Sequence, residues 1–595
     1  MEKDWFELKD IRRRRLGDAV WIPLRLSHRL IHKGSYGHVG YLDEFSGLGS
    51  VAIPLDRRAE AARLKWSDIG IGHSQGVWAT SDYYKPAEVY QYDDRVDLGI
   101  DLVLVQTFET GEESEWHLNQ DLVFALKLMR EGDEWVRPSE DYITVARLRR
   151  GSDGKPAAFE IKNEYLRDYL CARNMFLRSS RFHSRDTIVE DIAEVGSPTE
   201  QATKTDDSEF ELRIIPIMEG GYLGDGGFGV FHVSRTDIDP DEDVPRPGRE
   251  TNDNTTSRSW KGKHEGRPLI RVIGELWREE EIEPASVSPR VRGDTVPSGI
   301  QYIVDATGAK LSSEKLDNED DPRWLWFRPE VILALTKRRG GHFQWYTWYT
   351  GGVSCSSSYL THFGLNQAGL VTVYAYDIAK LPHWQQQIWA GHNVAPEGGV
   401  SKELLSAQMA TKVADTTAPE QALPYVLSTL DEVFQSVLGT PLFRPHAETD
   451  TLIASISRFR ALEPHGVFSL AKDVMRLVAD RIDAAALQRV VPPPKSERWG
   501  SLKSLEKYLA TILSPEDARR MMAPLAGAYD LRVADAHLPT GELDKAFALA
   551  GIDQSIPSLD QGFWLIANVV TALSHINNVV VEANFPKQDV KSPGR

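Results

Sequence analysis

The chain has 595 residues, 41% of them hydrophobic and 26% charged, and carries a formal net charge of −18. That length predicts several domains, each able to bury its own core, and the acidic balance argues against a broad nucleic-acid-coating surface, which needs clustered Lys and Arg. Two cysteines, Cys171 and Cys355, exclude a disulfide framework and a zinc cluster of the CxxC type and point to a reducing cytoplasm.

The first 18 residues, MEKDWFELKDIRRRRLGD, contain no apolar signal core, and no run of roughly 18 apolar residues follows, so the expected protein is cytoplasmic, neither secreted nor membrane-spanning. Local basic patches occur at Arg12 to Arg15 and at Arg167, Arg173, Arg178, Arg181 and Arg185.

From Trp21 to Leu148 short apolar runs such as AVWIPLRL, GSVAIPL and LGIDLVLVQTF alternate with Gly, Asp and Pro breaks, the pattern of a twisted sheet with a few helices. The turn Gly151 to Ala157 predicts a hairpin between Ile143–Arg149 and Ala158–Ile161. A helix follows in EIKNEYLRDYLCARNMF, with Tyr165, Leu166, Tyr169, Leu170 and Met175 as its apolar stripe. Gly196 to Ser208 is polar and small and reads as a linker. Strands are expected at ELRIIPIM, GVFHVS, LIRVIGELW and QYIVDATG, with a long loop from Thr236 to Lys263 between the second and third.

Asp321 to Gly399 is the aromatic hub, with Trp324, Trp326, Trp345, Trp348, Trp384 and Trp389 among many Phe and Tyr. Aromatics dominate packing energetics, so separate elements are expected to meet here in an inter-domain core, with a ligand pocket lined by Trp345, Tyr346 and Trp348. After Gly399 long amphipathic periods begin, several with Ser or Ser-Pro starts. The expected architecture is multidomain α+β. An N-terminal α/β domain spans 1–195, a β-rich middle domain 209–399, an all-α C-terminal domain 400–585, and a tail 586–595.

Four chemical patterns are weak. Gly224 to Gly229 matches GxGxxG, but no lysine strand, catalytic loop or following helix completes a nucleotide site, so a glycine-rich hairpin is expected. Asp237, Asp239, Asp241 and Asp243 alternate as in a calcium loop, yet Glu242 and Gly248 stand where glycine and glutamate belong. Asp141 with Glu160 and Lys162 has the residue types of a metal-dependent nuclease, but capping and surface charge explain them. Cys355, His362 and Asp377 have those of a thiol triad, and a buried free cysteine explains the first. No metal or cofactor is expected.

Arg532 and His537, at the end of a long helical period, resemble the R-x4-6-H motif of HEPN ribonucleases, a helical family rich in toxins and antiviral effectors. The same spacing recurs at Arg178/His183 and Arg460/His465, so it is the helical setting that singles out this pair. The resemblance implies metal-independent RNA cleavage across a dimer, with His537 as general acid or base and Arg532 stabilising the phosphorane. Val533 departs from the family's usual polar residue. A second likeness covers Glu164 to Met175, Arg323 to Ile332, His362 to Pro382 and Trp384 to Leu405, which are similar to stretches of large bacterial proteins with no assigned activity.

Two functions follow as expectations. One is a bacterial sensor, assembly or defence-type protein that binds a ligand or protein partner through its N-terminal and middle domains and forms a homodimer or larger oligomer through its helices. The other is an RNA-cleaving enzyme at Arg532 and His537. Net charge disfavours RNA as partner, and no membrane contact is expected.

Overall fold

A computed structural model describes residues 3–71, 76–92, 96–108, 114–220, 228–233, 255–260, 266–356, 359–463, 465–537 and 540–585, with side chains left out at 228–233, 255–260, 534–537 and 540. Of the GxGxxG glycines, Gly224 and Gly226 lie outside the described residues, as do the Asp237 to Asp243 series and the tail 586–595, while Gly229 lies on a strand, Phe228–Val233, that pairs with Thr255–Trp260 inside the stretch expected to be a loop. The chain is multidomain α+β and divides into two compact units, Met1–Val296 and Pro297–Arg595.

The first unit is built on one 12-stranded antiparallel sheet. Its strands run β1 (Trp21–Lys33), β2 (Leu42–Pro54), β3 (Val89–Tyr92) and β4 (Val96–Ile100), then, after the separate hairpin β5 (Val103–Thr107) and β6 (Ser114–Leu118), β7 (Met129–Glu131), β8 (Glu134–Arg137), β9 (Ile143–Arg150), β10 (Pro156–Lys162), β11 (Met175–Val189), β12 (Gln201–Lys204), β13 (Ser208–Met218) and β14 (Pro268–Ile282). The main path is β12-β13-β14-β11-β2-β1-β10-β9-β8-β7, and β3 and β4 join at β2. The stretch 196–208, expected to be a linker, thus supplies an edge strand, and residues 209–296 belong to this unit and not to a domain with the aromatic hub. A polar edge strand looks like a linker because only one side of its backbone is paired.

The predicted hairpin forms between β9 and β10, and the helix after it spans Asn163–Arg173 with Tyr165, Leu166, Tyr169 and Leu170 buried. Asn174, at φ 56°, stops that helix in the left-handed conformation that Asn tolerates. The long central strand β11 is held in unbroken register by β14 on one side and β2 on the other.

One face of β11 is polar and yet buried. His183, 1% exposed, and Arg185 both bond Glu44 on β2, at 3.1 and 2.7 Å. Arg185 also makes two bonds to Asp10, at 2.8 and 2.9 Å, and one to the Trp5 carbonyl. Arg278 donates to the carbonyls of Arg12 and Arg14. These bonds lay the N-terminal segment across the sheet, and Gly274 permits it, since a Cβ there would overlap the Phe6 carbonyl. Burial, with Arg181 beside it, holds the His183 imidazole down at about 4.

The second unit joins a six-stranded antiparallel sheet to a helical part. The sheet contains β15 (Trp324–Phe327), β16 (His342–Trp345), β17 (Thr350–Ser356), β18 (Tyr359–Leu365), β19 (Val371–Tyr374) and β20 (Asn393–Val394), in the order β16-β17-β18-β19-β15-β20. The helical part includes α1 (Pro419–Leu438), α2 (Gly466–Leu477), α3 (Pro515–His537) and α4 (Ser558–Asn584). The aromatic hub fastens the sheet to these helices inside this one unit. Trp345 stacks on Phe459 at 5.4 Å, and Phe327 meets Trp389 edge-on at 4.7 Å. Helix α4 is long and apolar enough to cross a membrane by length and composition alone. Its Leu565, Ile566, Val569, Leu573, Ile576 and Val580 are buried in the helical core, the role its 3.6-residue spacing serves.

Candidate functional site

The main sheet forks in the first unit. Strand β1 pairs with β2 from Leu26↔Leu48 to Lys33↔Leu42, but its other end, Trp21 to Arg25, pairs only with β10. Beyond the parting β2 turns to β4, through Ala52↔Ile100. A cavity of about 600 Å³ opens there, within the range of small-molecule sites. Leu24, Val51, Ile69 and Val103 supply apolar wall, and Arg25, Ser50, Asp101, Gln106, His117 and Gln120 supply polar groups.

Two glycines make the fork possible. A Cβ on Gly49 would overlap the carbonyl of Ile69, and one on Gly99 the carbonyl of Ala52. Their absence lets the turn of helix Trp66–Ile69 and strand β4 close on β2.

Asp101 sits between β4 and β5, and its backbone is held at both ends. Its N–H donates to the Glu88 carbonyl at 2.9 Å, and its own carbonyl accepts from Asn119 Nδ2 at 2.8 Å. Its surface is only part-buried because it faces the cavity, but protein packed round the carboxyl strips it of water. Burial pushes the group up to about 7, against the opposing charges of Lys85 and Arg25. Among the described residues no donor reaches the carboxyl oxygens.

Arg25, which lines the same cavity from β1, is lowered by burial and supported by the charge of Asp101. Its Nη2 donates to the Ile71 carbonyl at 2.9 Å and its guanidinium lies 5.3 Å from the Trp116 ring, while Nε is buried without an acceptor. Lys85 donates to the Gly76 carbonyl at 3.1 Å, and His117 Nε2 meets Gln106 Oε1 at 3.0 Å. A carboxyl pushed up to about 7 that shares a cavity with a guanidinium can bind or exchange a proton with a polar guest.

The residues singled out from sequence lie elsewhere. Trp345 is 3% exposed and belongs to the core, whereas Tyr346, 36% exposed, points to the other face, its hydroxyl 3.0 Å from His362 Nδ1. Trp348 donates its indole N–H to the Thr417 carbonyl at 2.8 Å. Strand β16 ends at Trp345 in the core, whereas Tyr346 and Trp348 follow it in a bend at the surface, so the core indole is parted from the other two rings. Arg532, on α3, forms an ion pair with Asp480 at 2.7 Å and lies 5.4 Å from the Tyr529 ring. The His537 side chain lies outside the described residues.

Glu160 is taken up by Arg147 and Arg149, at 2.8 and 3.0 Å, and Cys355 is buried in the apolar core of the second unit while His362 faces outward. Among the described residues no group of three or more His, Cys, Asp or Glu could hold a metal ion. Comparison with protein-family models, with curated proteins and with solved structures finds no match.

The Asp101 cavity was missed in the sequence. Its one signal is an aspartate inside the apolar run LGIDLVLV, where a strand core normally excludes charge.

Proposed function

We propose that the protein is a ligand-binding sensor that takes a small polar molecule into the fork cavity of its first unit. The observation that carries this is the Asp101 carboxyl, which lines a 600 Å³ cavity together with Arg25 and, among the described residues, has no hydrogen-bond donor. Buried charges normally carry partners, so a cavity that holds a carboxyl and a guanidinium not joined in an ion pair suits a guest that supplies the counter-charges. Met409, Val413 and Tyr425, exposed at 60, 73 and 74%, support assembly through the helical part of the second unit. The Arg532–Asp480 ion pair favours a structural role for that arginine over phosphate stabilisation.

The test is thermal unfolding of the wild type and of Val103→Trp, which fills the cavity, against a panel of amino acids, nucleosides, sugars and inorganic anions. A compound that stabilises the wild type and not the variant supports the reading. Equal response of both proteins to every compound refutes it.

A further inference from the structure

We infer that the guest of the fork cavity is a small zwitterion with an apolar body, of the free amino-acid type, its cationic group on Asp101 and its anionic group on Arg25. This rests on the cavity being a ligand site. Asp101 and Arg25 line one cavity and each feels the other's charge, yet among the described residues they form no ion pair and no hydrogen bond with one another. Both charged groups thus stand on the lining of one cavity of about 600 Å³ without closing on each other, which leaves each open to a guest.

Neither side chain is free to swing to the other. Asp101 is pinned through its backbone by Glu88 and Asn119, and Arg25 by the Ile71 carbonyl and the Trp116 ring. Lys85 exerts the largest opposing charge on Asp101, but its ammonium is engaged by the Gly76 and Pro86 carbonyls, at 3.1 and 3.5 Å.

The charge pattern discriminates among guests. With Asp101 ionised, above about pH 7, a simple anion would satisfy Arg25 but meet the Asp101 carboxylate, and a simple cation would satisfy Asp101 but meet Arg25. A molecule carrying both charges leaves neither buried group unpaired, and leaving one unpaired is the costly case. The volume exceeds what two charged ends need, and Leu24, Val51, Ile69 and Val103 offer apolar surface for a side chain.

Proton release gives a second signature. Among the described residues, Arg25 on β1 and Lys85 before β3 act on the carboxyl, Tyr90 on β3 feels its charge, Glu88 and Asp97 act on Lys85, and His117 on β6 lines the cavity. Asp101, held near 7 when the cavity is empty, must give up its proton to receive a cation. Binding of a zwitterion therefore strengthens as pH rises toward 7 and releases a proton below it, whereas binding of a carboxylate-only molecule weakens.

The experiment is calorimetric titration of the full chain with L-leucine, L-phenylalanine and L-tryptophan, and with phenethylamine and 3-phenylpropanoate as analogues of phenylalanine lacking one charge each. At least one amino acid is expected to bind, and each single-charge analogue should be weaker than phenylalanine by about tenfold or more. Asp101→Asn should abolish the advantage over 3-phenylpropanoate, and Arg25→Met the advantage over phenethylamine. The analogue series on wild type decides the matter even if a variant fails to fold. Equal affinity for phenylalanine and its analogues, or no binding by any of the three amino acids, overturns the inference. If a nucleoside, sugar or anion instead stabilises wild type and not Val103→Trp, the cavity reading survives and the zwitterion falls. If nothing discriminates those two proteins, both fall.

Discussion

Arg458 and Glu420 form a two-point ion pair at the centre of the second unit, Nε to Oε1 at 2.8 Å and Nη2 to Oε2 at 2.7 Å, with both side chains almost fully buried. The guanidinium is also layered between the Trp345 ring at 4.0 Å and the Phe563 ring at 4.5 Å, and its third nitrogen donates to the Trp348 carbonyl. One residue thus ties the sheet, helix α1 and helix α4 together. Removing one partner leaves the other buried and charged, so Arg458→Met and Glu420→Gln should each cost about 3–5 kcal/mol in urea unfolding followed by tryptophan fluorescence. The double variant Arg458→Met/Glu420→Met should recover most of that loss. Single variants within about 1 kcal/mol of wild type would show that the pair is not what joins sheet to helices.

Gly49 carries a different constraint. A methyl group there would overlap the Ile69 carbonyl, and Ile69 lines the fork cavity. Gly49→Ala is expected to destabilise the first unit by about 1–3 kcal/mol or more, through overpacking. Gly500→Ala, where a Cβ meets nothing, serves as the control. Equal melting of wild type and Gly49→Ala would mean that the helix Trp66–Ile69 does not press on β2.

The pH dependence of stability has a definite sign. The unfolded chain releases the Asp101 proton near pH 4, the folded chain holds it to about 7, so the folded state binds the extra proton between these values. This group's contribution to stability is therefore greatest below pH 4 and is lost as pH rises to 7. Asp101→Asn should be more stable than wild type by about 2–4 kcal/mol at pH 8, a gap that closes toward pH 4. His183 acts in the opposite sense. Held at about 4, it makes the unfolded state bind more protons below 6.5, so stability falls as pH drops through that window. The comparison must accordingly be between variant and wild type at each pH, by denaturant titration. A constant difference from pH 4 to 8 would contradict the Asp101 assignment.

For the RNA-cleaving alternative, purified wild type, Arg532→Ala and His537→Ala would be incubated with total RNA in EDTA. The sensor reading expects no cleavage by any of them. Cleavage by wild type that both substitutions abolish would displace it. Arg532→Ala should also cost less than about 1 kcal/mol, because its ion pair with Asp480 is part-exposed.

The fold was legible where one residue pattern matched one local structure. Helix α4 shows its core side as Leu565, Ile566, Val569 and Leu573, and the β9–β10 hairpin is announced by its Gly-Ser-Asp-Gly turn. Strand β11 was not legible. Its sequence MFLRSSRFHSRDTIV has no apolar alternation, because Arg185 and His183 are buried by Glu44 and Asp10, residues more than 130 positions away. Trp345, Tyr346 and Trp348 read as the lining of one pocket for the same reason in reverse. Only the tertiary partners Arg458 and Phe459 reveal that Trp345 is core. The cavity itself arises where β1 parts from β2, a long-range event that leaves one local trace, Asp101 in an apolar run.

The most direct measurement of the central claim is a carboxyl-carbon NMR titration of Asp101, assigned by comparison with Asp101→Asn, in the free protein and with each compound of the panel. The expected result is titration near 7 in the free protein and a shift of that midpoint by at least one compound, with no such effect in Val103→Trp. Titration near 4, unmoved by every compound, would contradict it.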